Sequence, residues 1–270
     1  MTAGADLAAI LFSSFFILVL GLCLGSFATA LVYRIPLGIP WAKPSSGDKA
    51  NRSRCPSCQS VLTVLDLVPV FSFLLSRGHC RHCGKKISPI YPLIELVTML
   101  LTFGLFWAWG AQPVLAPLLL AVPFLVAATL IDWTHMILPD DINVSLTILG
   151  ILYVLLSSWQ AGWSLDVVIS ALSASVLLFV TLFAASYLLS KIKKKEALGR
   201  GDLKFLPAAG LFLGIPALPT YLALGGVLGV FTALLKGKNG SGGAFPFGPA
   251  LIISLYIHVF LTGLGFDYTW

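Results

Sequence analysis

KFLPAAGLFLGIPALPTYLALGGVLGVFTALL, residues 204–235, decides the architecture. A helix needs about 20 apolar residues to cross a bilayer. This run is too long for one straight crossing and slightly short for two. Gly214, Pro216 and Pro219 in its middle supply a turn. Read as two short helices, it returns the chain to the side it left; read as one, it does not. The residues that follow, Lys236 and Lys238, choose between these readings, because Lys and Arg gather on the cytoplasmic side of a membrane protein.

Further apolar runs lie at 9–33, 90–110, 115–132, 142–158, 167–190 and 247–265. The first has neither a basic segment before it nor a small-residue cleavage site after it, so a removed signal peptide fits poorly. If it enters from outside, the loop 34–89 is cytoplasmic, and so are 133–141 and 191–203. All 17 Lys and Arg then lie inside or at a cytoplasmic edge, provided that 204–235 is two helices. Nine lie between Arg34 and Lys86, six between Lys191 and Lys204, and two are Lys236 and Lys238. The outer segments keep only Asp6, Asp166 and Asp267. The expected fold is an all-α polytopic membrane protein of about eight transmembrane helices, with a small cytoplasmic zinc-binding loop domain and both termini outside.

Composition agrees. The chain has 270 residues, 58% hydrophobic and 10% charged, and a mean hydropathy of +0.95. Soluble domains carry about 25% charged residues, so an ordinary cytosolic enzyme, a disordered chain and a coiled coil are excluded. Net charge is +6, but no basic stripe is interleaved with aromatics, which argues against nucleic acid as a partner. Membrane lipid is the expected surroundings. Within the loop, residues 61–75 (VLTVLDLVPVFSFLL) are too short to span and read as an interfacial or buried helix.

Cys55, Cys58, Cys80 and Cys83 form CPSC and CRHC, separated by 21 residues. Two such pairs present four thiolates to one tetrahedral ion, most commonly zinc. Two disulfides are the alternative, opposed by a reducing cytoplasm. Four thiolates leave no open position for water, so the role is structural. His79 and His82 flank the second pair and are alternative ligands. Cys23, in the first span, is a packing residue.

Acids at membrane depth are costly and mark function by default. Asp132 closes one apolar run, and Asp202, in LGRGD, opens another, both at the cytoplasmic edge. If they meet, they share a proton, and the pair activates water as in aspartic proteases. Gly199 and Gly201 would let the backbone approach closely. Capping is the competing reading. It is weak for Asp132, which ends a helix where the dipole disfavours an acid, and stronger for Asp202. Asp140, after Pro139, reads as an N-cap. Asp141 and Glu95 read as helix-dipole partners.

Taken together and in order, GSFATALVYRIP, CPSC, CRHC, DLVPVFSFLLSRGHCRHCGKKISPIYPLIEL, IDWTHMILPD, LGRGDLKFLPAAGLFLG and FPFGPAL resemble the type IV prepilin peptidases, across nearly the whole chain. The resemblance implies a GxGD membrane aspartyl protease of the bacterial inner membrane, serving type IV pili or type II secretion. Such enzymes cleave the basic leader of prepilins or pseudopilins at the cytoplasmic face, then methylate the new N-terminal amine with S-adenosylmethionine. It assigns catalysis to Asp132 and Asp202, and associates the tetracysteine loop with methylation. The expected division is 1–33 first helix, 34–89 tetracysteine domain and 90–270 peptidase domain. Many members carry an acid where this chain has Thr134. The GxGD element is also similar to that of the presenilin group. No local pattern marks the methyl-donor site. Arg77, His79 and Glu95 are candidates, and Arg200 is left unassigned. Asp140, Asp141 and Glu196 are expected to attract a basic leader. The alternatives are a peptidase alone, with the cysteine loop structural, and a transporter whose two aspartates bind cations.

Overall fold

The computed structural model describes residues 2–41, 52–193, 199–236 and 245–266, with the backbone alone for 2–9 and 193. Nine helices lie among them: α1 Thr2–Arg34, α2 Phe71–Leu75, α3 Ile90–Trp109, α4 Leu115–His135, α5 Asp140–Gln160, α6 Leu165–Lys193, α7 Arg200–Leu213, α8 Leu218–Lys236 and α9 Gly248–Gly263. Among the described residues there is no strand, only two isolated bridges. Six helices (α1, α3, α4, α5, α6 and α8) are long and apolar enough to cross a membrane. α7 and α9, of 14 and 16 residues, coincide in sequence with the two remaining expected spans but are shorter than the other six. The run 204–235 does break in two, at a left-handed Gly214 (φ 74°) followed by the Pro216 turn. Lys238 and Glu196 lie outside the described residues.

The chain forms two compact units, residues 1–107 and 108–270. In the first, α1 and α3 meet backbone to backbone. A Cβ on Gly21 would lie 2.8 Å from Met99 Cα, and one on Gly25 would lie 2.5 Å from Glu95 Cα. Small residues four apart are what close packing of membrane helices requires. The stretch 61–75 is not one helix, as expected, but a 3-10 turn, Val64–Leu67, and the short α2. Pro69 explains the break: it disfavours helix at Val68, which is extended (ψ 113°), and Val70 follows at φ 61°.

In the second unit, α4 is central. Val122, Ala127 and Ala128 have no exposed surface, and α5 and α9 pack on it. α7 is short but deeply enclosed by α5, α6 and α9; Phe205, Leu206, Ala208 and Ala209 are wholly buried. A Cβ on Gly210 would lie 2.4 Å from Ser175 Cα, so α6 and α7 touch through their backbones. Ser175 Oγ donates to Pro207 O at 2.7 Å across the same contact. The outer face of α6 exposes Leu172, Val176, Val180 and Phe183, the side chains that lipid would cover.

Candidate active site and metal centre

Asp132 lies in the last turn of α4, which Met136 ends in the left-handed conformation. Its side chain is buried, and Oδ2 accepts the Gly248 N–H at 3.0 Å. Gly248 is the first residue of α9, so the carboxylate sits against a helix N-terminus, where the dipole favours negative charge. This reverses the disadvantage expected from its own helix. A Cβ on Gly248 would come within 2.7 Å of Asp132 Oδ2. Lys236, at the end of α8, donates to Trp133 O at 2.7 Å and lies close enough to act on Asp132 electrostatically.

Asp202 is the third residue of α7. It is also buried, and its carboxylate lies beside the N-cap, Gly199. Its third position in the helix is where the acid of a capping box stands. The glycines on either side of Arg200 have separate tasks. A Cβ on Gly199 would stand 3.1 Å from Asp202 Oδ2, and one on Gly201 would stand 2.8 Å from Leu138 Cβ. Leu138, buried in the α4–α5 turn, also reaches Gly248, where a Cβ would meet its Cδ1 at 3.0 Å. Thus Leu138 wedges between the glycine beside Asp202 and the glycine bonded to Asp132. The two acids, 70 positions apart, come within electrostatic reach of each other.

Asp140 is not an N-cap. Pro139 holds that position, and Asp140 instead receives Lys204 Nζ at 2.7 and 2.9 Å on the surface. Thr134 donates back to Leu130 O within α4. Sequence reasoning missed Leu138, Gly248, Lys236 and Tyr221. Tyr221 is fully buried within reach of the Asp202 charge, and its hydroxyl has no hydrogen-bond partner among the described residues. The signals available for Gly248 were the Gly-Pro pair opening the last apolar run and its place in the FPFGPAL motif, neither of which gives it a role.

In the first unit the four loop cysteines converge, with their sulfur atoms all within 4.8 Å of one another. Two matching turns bring them there. Cys55 N–H donates to Ser60 O and Gln59 N–H to Cys55 O; Cys80 N–H donates to Lys85 O and Gly84 N–H to Cys80 O. Each turn is left-handed after its second cysteine, at Gln59 (φ 58°) and Gly84 (φ 69°). Tetrahedral zinc needs sulfurs about 3.8 Å apart, as follows from Zn–S bonds of about 2.3 Å, so the set fits the ion after a small contraction. Ser60, through its hydroxyl and N–H, brings the Cys58 thiol down to about 6. The N–H groups of Cys83 and His82 lower Cys80. Both shifts favour the thiolates a metal takes, whereas Cys83 moves up to about 11, its Lys85 N–H partner being outweighed by desolvation and the neighbouring thiols. His79 Nδ1 is occupied with Arg77 O at 2.8 Å.

Two family profiles match the chain: the bacterial peptidase A24 N-terminal domain over residues 19–109, and the type IV leader peptidase family over residues 119–234. A prepilin leader peptidase/N-methyltransferase of Pectobacterium carotovorum subsp. carotovorum is 34% identical over 91% of this chain and 92% of its own length. Enzymes of the same name from Neisseria gonorrhoeae (33% identical, 88% of this chain, 87% of theirs) and Aeromonas hydrophila (33%, 87% and 86%) are similar throughout. No solved structure matches the chain. With both profiles in chain order, and relatives aligned over nearly full length, the chain belongs to the type IV leader peptidase family of membrane peptidases.

Proposed function

We propose that the chain cleaves the basic leader from type IV prepilins or pseudopilins at the cytoplasmic face of the inner membrane, and then methylates the new N-terminal amine. The observation that carries the peptidase chemistry is the shared cluster of Asp132 and Asp202, both buried, with Asp132 accepting the Gly248 N–H and Asp202 set beside Gly199. Segment 90–270 carries both aspartates of this chemistry, and 34–89 contributes to methylation.

Asp132 faces the start of α9 with Lys236 nearby, which supports it as the ionised member. It takes a proton from water as the water oxygen attacks the scissile carbonyl carbon. Asp202, protonated, donates to the carbonyl oxygen, giving a tetrahedral diol. Asp132 then passes its proton to the amide nitrogen as the C–N bond breaks, and the collapsing diol returns a proton to Asp202. The apolar helix of the substrate lies in the bilayer while its leader stays in the cytoplasm. Asp140 is already held by Lys204, which leaves Asp141 the better candidate to attract that leader. The tetracysteine cluster holds a structural zinc. S-adenosylmethionine, when bound, supplies an electrophilic methyl group.

Asp132→Asn and Asp202→Asn are the test. Each should lower prepilin cleavage at least about 100-fold in folded, membrane-inserted protein, and full activity in either removes that residue from the mechanism. Weighing the product of the parent enzyme with methyl donor present separates the two activities. A product lacking one methyl mass would leave a peptidase alone.

A further inference from the structure

The first unit contains a cavity of about 590 Å³ that the peptidase chemistry does not use. This lies within the roughly 300–1,000 Å³ typical of small-molecule sites. Glu95, from α3, lines it and is buried; its Oε2 accepts the Val70 N–H at 2.7 Å. That donor is neutral, so it does not balance the carboxylate charge. Arg52 and Arg54, both exposed, line it as well. Phe27 and Tyr91 contribute aromatic surface. Cys55 and Cys80 of the thiol cluster also border the space, so the metal clamp shapes its wall.

A buried carboxylate, exposed guanidinium groups and aromatic walls suit a zwitterionic ligand that carries a planar base and an internal positive charge. We propose that this cavity binds the methyl donor as a sulfonium nucleoside, with the sulfonium directed to Glu95, its carboxylate to Arg52 and Arg54, and its purine against the aromatic side chains. The inference rests on the methyltransferase reading above and places its site. In the transfer, the neutral amine's lone pair forms a C–N bond to the methyl carbon as the C–S bond breaks. The bonding pair returns to sulfur, leaving a neutral thioether, and the amine sheds one proton to water. Glu95 therefore interacts with a charge that the donor has and its product lacks. Of the three residues considered from sequence, His79 and Glu95 border the cavity, whereas Arg77 is not among its lining residues.

The test is calorimetric binding of S-adenosylmethionine and S-adenosylhomocysteine to the full chain in lipid nanodiscs. Glu95→Gln keeps an acceptor for Val70 but removes the charge. It should weaken the sulfonium ligand at least tenfold and the thioether less than threefold. Ala30→Trp, which fills the cavity, should abolish binding of both. Leader cleavage within twofold of the parent in each variant reports intact folding. Parent-like binding in both variants, or an equal loss of both ligands in Glu95→Gln, overturns this site while leaving the methyltransferase reading intact. Absence of donor binding and of methylated product in the parent overturns both.

Discussion

Gly248 does two things for Asp132: it gives its N–H, and it leaves room for the carboxylate. Gly248→Ala retains the N–H but places a methyl group 2.7 Å from Oδ2, closer than the two can stand. The side chain must rotate away, and misplacement of a reacting group by about 1 Å can cost 100-fold. Cleavage should therefore fall about 10- to 100-fold with thermal stability nearly unchanged; kcat/KM on a prepilin measures it, and parent-like kinetics would show that the contact is slack. The aspartates themselves were legible in the sequence, because an acid at the end of an apolar run is costly and rare. Gly248 was not, since a Gly-Pro pair before an apolar run reads only as a helix start. Asp140 misled for a physical reason: Pro139 already has the extended conformation of an N-cap, and Lys204 offered the acid a better partner.

Among the elements, α1 and α3 depend on Gly21 and Gly25, which let their backbones touch. Gly25→Leu puts a branched side chain into Glu95 backbone. Overpacking of this kind costs about 1–3 kcal/mol or more, and the helices must part. The expected outcome is a lower unfolding temperature in detergent together with loss of donor binding, because Glu95 would be displaced from the cavity. Unaltered melting and binding would mean that the two helices adjust freely. Helix positions were legible from hydropathy and from the turn residues Gly214 and Pro216. The stretch 61–75 was not, because its apolar content hides the effect of Pro69 on the residue before it. The four cysteines were legible as a set that would converge but not as a repeated fold, since the likeness of their turns lies in backbone bonds to Ser60 O and Lys85 O rather than in side chains.

At the scale of the molecule, the loop 52–87 has little apolar interior of its own; Val64, Leu65, Phe71 and Leu74 are exposed. A small element without a core needs a staple. Elemental analysis should find about one zinc per chain, and stripping it with a chelator should make this segment the preferred site of proteolysis while the helices of the second unit stay protected. A metal-free chain with the same protease pattern would remove zinc from the account. The positive residues call for eight crossings, and the two helices around the aspartates are the short ones, at 14 and 16 residues. At 1.5 Å per residue they reach about 21 and 24 Å, against a hydrocarbon layer about 30 Å thick. If both cross, either their starts lie below the phosphates or the leaflet dimples to reach them. On the proposed cytoplasmic-face reading, a peptide arriving from the aqueous side would be drawn downward before it is cut, and turnover should change with lipid acyl-chain length.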